Sequence, residues 1–146
     1  MAGYSTTPLP KKLGIKPGAA LLVLNPPPAF VPQLGELPGT TVLSPTDAAP
    51  AGVIVLFTRD SAILECDFPF AIGRLATSGG LWVAWPKRSS GVPTDLDENR
   101  VRAIGLSAGL VDNKVCAIDE TWSGLRFVYR LKDRPARKAA PSSPPR

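Results

Sequence analysis

The chain has 146 residues, of which 44% are hydrophobic, and a net charge of +5 at pH 7; this length suits one domain with its own core. It contains no histidine, which excludes Ser-His-Asp and Cys-His catalysis and removes the commonest metal ligand. No basic and then apolar leader and no apolar run of about 20 residues is visible, so we expect a cytoplasmic protein without a membrane span.

Most of the positive charge lies near the carboxyl terminus. Residues 132–146 hold five cations and one anion, whereas residues 1–131 carry a net charge of only +1. A nearly neutral body argues against broad polyanion binding. Residues 135–146 are rich in proline, alanine and serine and are predicted to form a disordered basic tail. The rest divides into an amino-terminal arm, 1–12, and a single α/β domain, 13–134.

The two cysteines, Cys66 and Cys116, lie far apart and form no CxxC motif. Disulfides are rare in the cytoplasm, so both are predicted to be reduced and buried thiols. With two separated cysteines and no histidine, we expect no metal site.

The first predicted strand ends in an unusual turn. Residues 20–24 are all apolar, and Asn25, Pro26, Pro27 and Pro28 follow them. In cofactor-binding α/β proteins this turn is rich in glycine and offers backbone N–H groups to a phosphate or cofactor tail. Proline has no N–H, so three donors are missing. We therefore expect no cofactor, and specifically no binding of S-adenosylmethionine or a nicotinamide dinucleotide.

Strand and helix signals alternate along the middle of the chain. A weak strand is predicted at 40–43, a strong one at 53–57 and another at 81–85. The helix after the second of these strands is capped by Asp60 or Ser61.

Proline and glycine are predicted to interrupt the segment that follows. Pro69 breaks or kinks the helix, and a second helical piece over 70–76 stops at Ser78, Gly79 and Gly80.

The last predicted elements are a helix and a hairpin. Asp95 and Glu98 have the spacing of a capping box, which predicts a helix that begins near them. Residues 115–121 and 125–131 then flank a predicted turn at 122–124.

Together these elements predict a small, mostly parallel, open α/β sheet of the Rossmann-like type that ends in an antiparallel hairpin, with right-handed crossovers. The order resembles a reduced class I methyltransferase fold from which one strand–helix unit is absent.

Three segments carry a second resemblance: 12–18 (KLGIKPG), 82–87 (WVAWPK) and 121–128 (TWSGLRFV). They are similar to a family of small bacterial proteins known only as a domain of unknown function (family 3052), and the likeness covers most of residues 4–134. That family has no assigned activity, so the resemblance implies the fold.

The chain departs from true methyltransferases at two positions. Their glycine-rich turn is replaced by the proline turn after the first strand. Their acidic residue at the end of the second strand, which binds ribose, is replaced by Ser44, and Asp47 is the nearest acid.

A polar loop is the best candidate for a ligand site. Lys87, Arg88, Ser89, Ser90 and Gly91 follow a central strand, and ligands of open α/β sheets bind beyond the carboxyl ends of the strands. Two cations, two hydroxyls and a glycine can surround an anion. The alternative is a solvated loop that precedes a helix.

Asn25, Trp85, Trp122 and Ser123 are candidates for the rim of the same pocket. Trp82 and Trp85 are three residues apart on a strand, so they are predicted to point to opposite faces. Packing in the core or at its rim is the alternative to ligand stacking for each tryptophan.

Catalysis finds little support in the residues themselves. Asp119 could serve as a general base, but no histidine, metal cluster or evident nucleophile completes a mechanism, so Asp119 and Glu120 are read as turn charges. We therefore incline against an enzyme and towards a non-catalytic module that recognises a small anion or a protein partner at the strand ends. A divergent transferase with an altered cofactor site is the first alternative. A nucleic-acid accessory protein that acts through its basic tail is the second.

Overall fold

The computed structural model describes residues 8–130. Its elements, in chain order, are α1 Leu9–Leu13, β1 Ala20–Leu24, α2 Phe30–Leu34, β2 Thr41–Leu43, β3 Ala51–Phe57, α3 Ser61–Arg74, β4 Leu75–Pro86, a 3-10 turn Arg88–Ser90, α4 Glu98–Ser107, β5 Leu110–Ala117 and β6 Trp122–Tyr129. The sheet order is β2-β1-β3-β4-β6-β5. Strands β1 to β4 pair in parallel, and β6 pairs antiparallel with both β4 and β5. The predicted fold class is confirmed.

The sheet is covered on both faces. One face packs against α3 and α4 through a cluster that includes Ile54, Leu56 and Trp85. The other packs against α1 and α2 through Val55 and Trp82. Successive residues of a strand point to opposite faces, which is why the near-continuous apolar run of β3 supplies both clusters. The predicted opposite orientation of the two tryptophans is confirmed.

Helix α3 runs through Pro69, so the predicted interruption of the helix there is wrong. The helix begins at the Asp60 cap, whose carboxylate accepts from the N–H groups of Ala62 and Ile63, and it continues to Arg74. Buried Phe68 and Ala71 on either side of the proline pack against the sheet. Tertiary packing therefore outweighs the hydrogen bond that proline removes.

Strand β4 begins at Leu75 and runs through the Ser-Gly-Gly segment that was predicted to stop a helix. A Cβ at Gly79 would lie 2.8 Å from the carbonyl oxygen of Gly52, where the register between β3 and β4 shifts. Glycine at this point allows a close approach of two backbones, which is a use of glycine inside strands.

The start of α4 and the position of the hairpin turn also differ from the predictions. Asp97, not Asp95, caps α4 through the N–H of Arg100. The turn lies at 118–121, and Trp122 already belongs to β6. The reason is local, because Asp119 Oδ1 accepts from the N–H groups of Thr121 and Trp122, at 2.8 Å each. Such a side-chain bond to the following backbone makes an Asx turn.

The cysteines were predicted to be buried, but Cys66 is exposed on α3 and Cys116 is half-buried on β5. Helix α3 buries one stripe against the sheet and turns Cys66 outwards. Burial raises the pKa of the Cys116 thiol, and this outweighs the lowering effect of Lys12 and Lys114.

The predicted domain limits are only partly described by the structure. Residues 8–12 of the predicted arm enter α1, whose Leu13 is buried. The predicted basic tail, 135–146, and its nucleic-acid role lie outside the described residues. Within residues 8–130, no helix is long and apolar enough to cross a membrane.

Candidate functional site

An open cleft of about 790 Å³ lies beyond the carboxyl ends of β1 and β3, and we call it the strand-end cleft. The turn after β1 contributes Asn25, and the segment after β3 contributes Thr58, Arg59 and Asp60. The remaining wall comes from α3, the loop before α4 and the start of β6; the lining residues there include Ile63, Asp67, Pro93 and Trp122. This is the edge where open α/β sheets bind their ligands.

Asn25 is held in an uncommon backbone conformation at the base of the cleft. Its φ is +56°, and it is the one non-glycine residue with positive φ among residues 8–130. Its side-chain Nδ2 donates to Asp67 Oδ2 at 3.2 Å and lies 3.5 Å from the Phe57 carbonyl oxygen. Asparagine tolerates the left-handed region better than most residues. The turn after β1 is thereby tied to α3.

The segment after β3 is ordered by its own hydrogen bonds. Thr58 is buried, its N–H donates to the Ala84 carbonyl, and its hydroxyl bonds to the backbone of Asp60. Asp60 Oδ1 in turn accepts from two N–H groups of α3, at 2.8 and 3.1 Å. These contacts leave the Asp67 carboxylate, about two turns further along α3, as the acid that Asn25 orients towards the cleft.

Aromatic rings form the opposite wall. Trp122 packs edge-to-face on Phe57 with ring centroids 5.0 Å apart, and Phe57 packs in the same way on Phe30. Trp122 is half-buried. The indole therefore has fixed support on one side and reaches the cleft on the other, which suits contact with an apolar or planar ligand group.

Asp119 fastens this wall. Its Oδ1 accepts the backbone bonds of the Asx turn, and its Oδ2 accepts from Gln33 Nε2 at 3.0 Å. Both oxygens of the carboxylate are engaged in holding the turn, in agreement with its interpretation as a turn charge.

The predicted pocket rim is only partly assembled. Asn25 and Trp122 line the strand-end cleft, whereas Trp85 is buried in the core on the α3 face and Ser123 pairs within the sheet. Placing Trp85 at the rim was wrong, because the strand alternation that turns Trp82 to one face turns Trp85 under the helices on the other.

The predicted anion loop lies at the carboxyl end of β4, as expected. Ser90 Oγ donates to the Lys87 carbonyl at 2.7 Å and accepts from the Val92 N–H. Ser89 is exposed, and Gly91 has a positive φ of 80°. The Arg88 side chain is 90% exposed.

Acidic side chains accompany this loop. Arg88 Nη2 lies 3.9 Å from Asp97 Oδ2, and the adjacent hollow of about 290 Å³ is also lined by Asp95. Two carboxylates lower the attraction of this hollow for an anion. Anion binding by the loop stays a prediction.

Solved structures share the fold. A SAM-dependent methyltransferase from Aquifex aeolicus aligns with a TM-score of 0.54 and 18% identity over 80% of this chain and 85% of that chain. A ribosomal protein L11 methylase from Lactobacillus delbrueckii subsp. bulgaricus gives 0.60 and 10% over 84% and 75%. Magnesium protoporphyrin IX methyltransferase from Synechocystis, with bound SAH, gives 0.56 and 7% over 84% and 78%. The chain has a methyltransferase-like Rossmann fold.

The sequence comparisons gave no match. No family model matches the chain, and no curated protein matches it. The resemblance to a bacterial family of unknown function therefore stays a prediction, while the resemblance to the methyltransferase fold is confirmed.

These neighbours contradict the inclination against an enzyme. The three methyltransferases named above each align with four-fifths or more of this chain. The proline turn and the missing histidine had weighed too heavily, since they exclude particular chemistries and not group transfer as such.

The residues at the strand ends do not fit S-adenosylmethionine in the manner of this fold. Pro26, Pro27 and Pro28 offer no N–H groups, and the Pro27 carbonyl accepts from Phe30 N. At the end of β2 the Asp47 carboxylate accepts from the Ser44 N–H at 2.7 Å, so it closes its own turn. Among residues 8–130, no three potential metal ligands come together.

Sequence reasoning missed the acidic side of the cleft. Thr58, Asp60 and Asp67 follow the strongest predicted strand, and the rule that ligands bind at the carboxyl ends of strands could have drawn attention to the first two. Nothing local indicated Asp67, because its relation to Asn25 spans 42 residues of chain.

Proposed function

We propose that this protein is a divergent group-transfer enzyme that acts in the strand-end cleft and has an altered cofactor site. The observation that carries the proposal is the contact between Asn25 Nδ2 and Asp67 Oδ2. It places an oriented carboxylate at the edge of the sheet where methyltransferase-like folds bind their ligands.

Asp67 is the proposed general base. A carboxylate that accepts a hydrogen bond from a neutral amide keeps its second oxygen available for a proton. In a group transfer, that proton comes from the attacking hydroxyl or amine of the acceptor as its bond to the transferred group forms. The bond between that group and the donor breaks in the same step, and the donor leaves with the electron pair. Asn25 acts as a positioning residue, since its amide fixes the rotamer of Asp67.

The charge of the cleft suggests the class of acceptor. Its lining carries the carboxylates of Asp60 and Asp67 and the exposed guanidinium of Arg59. A net negative lining favours a neutral or cationic acceptor over an anionic one. The Trp122 wall favours an acceptor with a planar or apolar part. An amine or alcohol on an aromatic or other apolar frame meets both conditions.

The methyltransferase-like fold of the solved neighbours supports group transfer as the reaction type. The donor must be held differently, because the turn after β1 lacks the usual N–H groups. We therefore expect no saturable micromolar binding of S-adenosylmethionine in calorimetric titrations.

An untargeted activity assay tests the proposal. Purified protein is incubated with a small-molecule cell extract, with and without added S-adenosylmethionine, and substrate–product pairs are followed in time by mass spectrometry. We expect at least one pair whose mass difference identifies the transferred group. Asp67→Asn should slow its formation by roughly 100-fold or more, the range of general base catalysis.

The matched control is Glu65→Gln, an exposed acid on the same helix that does not line the cleft. Its rate should equal that of the wild type. A wild-type protein that converts nothing in the extract, or an Asp67→Asn variant as fast as the control, refutes the proposal.

A further inference from the structure

A second hollow, of about 490 Å³, lies at the amino ends of the parallel strands, away from the strand-end cleft. Its lining includes four cations, Lys12, Lys16, Lys114 and Arg126, and no carboxylate from residues 8–130. We call it the basic hollow. From it we infer that the protein has a second binding site, which takes a small molecule carrying a diphosphate group. This inference is independent of the proposed function.

Positive charge is concentrated here by the fold, not by composition. Two segments singled out in the sequence, 12–18 and 121–128, supply three of the four cations, and β5 supplies the fourth. Residues 1–131 as a whole carry only +1. A nearly neutral body therefore contains one strongly basic concavity, and such a concavity focuses the field on an anionic ligand.

Two of the cations lie side by side on neighbouring strands. Lys114 on β5 and Arg126 on β6 are direct register partners. Like charges directly opposite in an antiparallel pair are destabilising. An anion that binds beside both residues is attracted by both charges, which is the arrangement expected of a ligand site.

Lys12 and Lys114 are positioned by contacts that leave them able to donate. Lys12 Nζ donates to the Ala117 carbonyl at 2.8 Å, and Lys114 Nζ donates to the Lys12 carbonyl at 3.3 Å. An ammonium has three donors, so each lysine keeps donors for a ligand. The Arg126 guanidinium lies against Gly80, where a Cβ would overlap it, and its Nη1 donates to Asn113 Oδ1.

The apolar part of the hollow suggests an organic ligand. Pro17, which is exposed, and half-buried Ala19 line it, whereas Trp82 is buried and its indole Nε1 donates to the Leu13 carbonyl at 2.9 Å. The volume lies within the roughly 300–1,000 Å³ typical of small-molecule sites. A terminal phosphoryl group carries about −1.5 to −2 charges at pH 7 and the inner one of a diphosphate about −1, so an organic diphosphate offsets most of the positive charge of the lining. These features together point to an organic diphosphate.

Titrations followed by amide NMR test the site with two probes, inorganic pyrophosphate and ADP. We expect saturable shifts at Gly14, Gly52 and Lys114. ADP should bind more tightly than pyrophosphate, because its nucleoside can contact the apolar lining. Equal dissociation constants for the two probes would show that the hollow recognises only the diphosphate group, and this would contradict the inferred organic ligand.

A paired variant tests the cations. Lys16→Ala with Lys114→Ala should weaken binding of both probes at least tenfold, since a hydrogen bond to a charged group contributes about 1.5–3 kcal/mol. The charge-matched control is Lys11→Ala with Arg100→Ala, two exposed cations outside the hollow. It should change the dissociation constants less than twofold. All four positions are at the surface, and melting curves check that each variant is folded.

Three results would overturn the inference: no saturable shift at millimolar probe, shifts that cluster at residues 87–91 or in the strand-end cleft, or equal weakening by the control pair. A single-stranded oligonucleotide serves as a further arm. Should it bind through the same lysines more tightly than ADP, the site would belong to nucleic acid and the assignment to a small diphosphate would be wrong.

Discussion

Asn25 Nδ2 lies 3.2 Å from Asp67 Oδ2, so the turn that follows the first strand is fastened to the second turn of α3. This one hydrogen bond joins the proline-rich turn to the acidic side of the strand-end cleft. It also accounts for an asparagine with a φ of +56°, because the left-handed backbone carries the side chain that makes the contact.

Substitution of Asn25 separates the role of its backbone from that of its amide. Asn25→Ala and Asn25→Gly both remove the hydrogen bond to Asp67, but a positive φ raises the free energy of the folded state only for alanine, which has a Cβ. We expect the alanine variant to be less stable than the glycine variant by about 1 kcal/mol, the left-handed penalty less the greater unfolded-state freedom of glycine. Urea unfolding measures the difference. Equal stabilities would show that the turn relaxes to another conformation.

Two helical glycines differ in the space around them. A Cβ at Gly105 on α4 would overlap the ring of Phe127, whereas one at Gly73 on α3 meets nothing within 4 Å. Gly105→Ala should therefore destabilise the protein by about 1–3 kcal/mol through overpacking. Gly73→Ala, the matched control, should stabilise it by about 0.4–1 kcal/mol. Thermal unfolding of both variants checks the opposite signs, and a destabilised Gly73→Ala would contradict the packing of α3.

Asp95 lies in the loop before α4 and binds the first residue of α3, Ser61. Its carboxylate accepts from the Ser61 hydroxyl at 2.6 Å and from the Ser61 N–H at 2.8 Å. The Ser61 hydroxyl and then its N–H hold the pKa of Asp95 below its ordinary value of 3.8. A lowered folded-state pKa stabilises the protein above the unfolded pKa, and this stability is lost as the pH falls through the folded value.

Asp95→Ala should consequently lower the urea midpoint at pH 7, and the gap to the wild type should close as the pH falls below 3.8. Glu36→Gln, at an exposed acid, serves as the control and should leave the midpoint nearly unchanged at pH 7. A gap for Asp95→Ala that stays constant down to pH 2 would mean that the charge of the carboxylate contributes nothing.

Anion binding by the loop after β4, residues 87–91, is tested separately. Lys87→Ala with Arg88→Ala should abolish phosphate-induced amide shifts at residues 87–91, if the loop binds an anion as predicted, without a change in melting temperature. Arg88 is exposed and only 3.9 Å from one acid, and a surface pair of this kind contributes little to stability. The control is Lys16→Ala with Lys114→Ala, which should leave shifts in this loop intact. Phosphate shifts that persist at residues 87–91 in the Lys87→Ala, Arg88→Ala variant would show that these two cations do not hold the anion.

Sequence periodicity was enough to predict the mostly parallel sheet and the opposite orientations of Trp82 and Trp85. The apolar run of β3 and the spacing of Trp82 and Trp85 encode burial on both sides, because side chains alternate along a strand. The proline turn likewise showed directly that backbone donors are absent after β1, since proline lacks an N–H wherever it stands.

The first and last residues of the helices and strands could not be predicted as well from the sequence, because tertiary packing decides where these elements end. Pro69 stays inside α3 since its neighbours are buried against the sheet, and the glycines 79 and 80 continue a strand since β3 and the Arg126 side chain approach them closely. Local propensity predicts a stop at both places. It cannot include the partners that make continuation favourable.

Only the tertiary structure assembled the two sites. Asn25 meets Asp67 across 42 residues of chain, and Lys12 meets Lys114 across 102. The order β2-β1-β3-β4-β6-β5 brings β1 beside β3 and sets β6 between β4 and β5, so residues far apart in sequence share one edge or one hollow. Composition determined which chemical groups the protein has, and the pairing of its strands determined which of them act together.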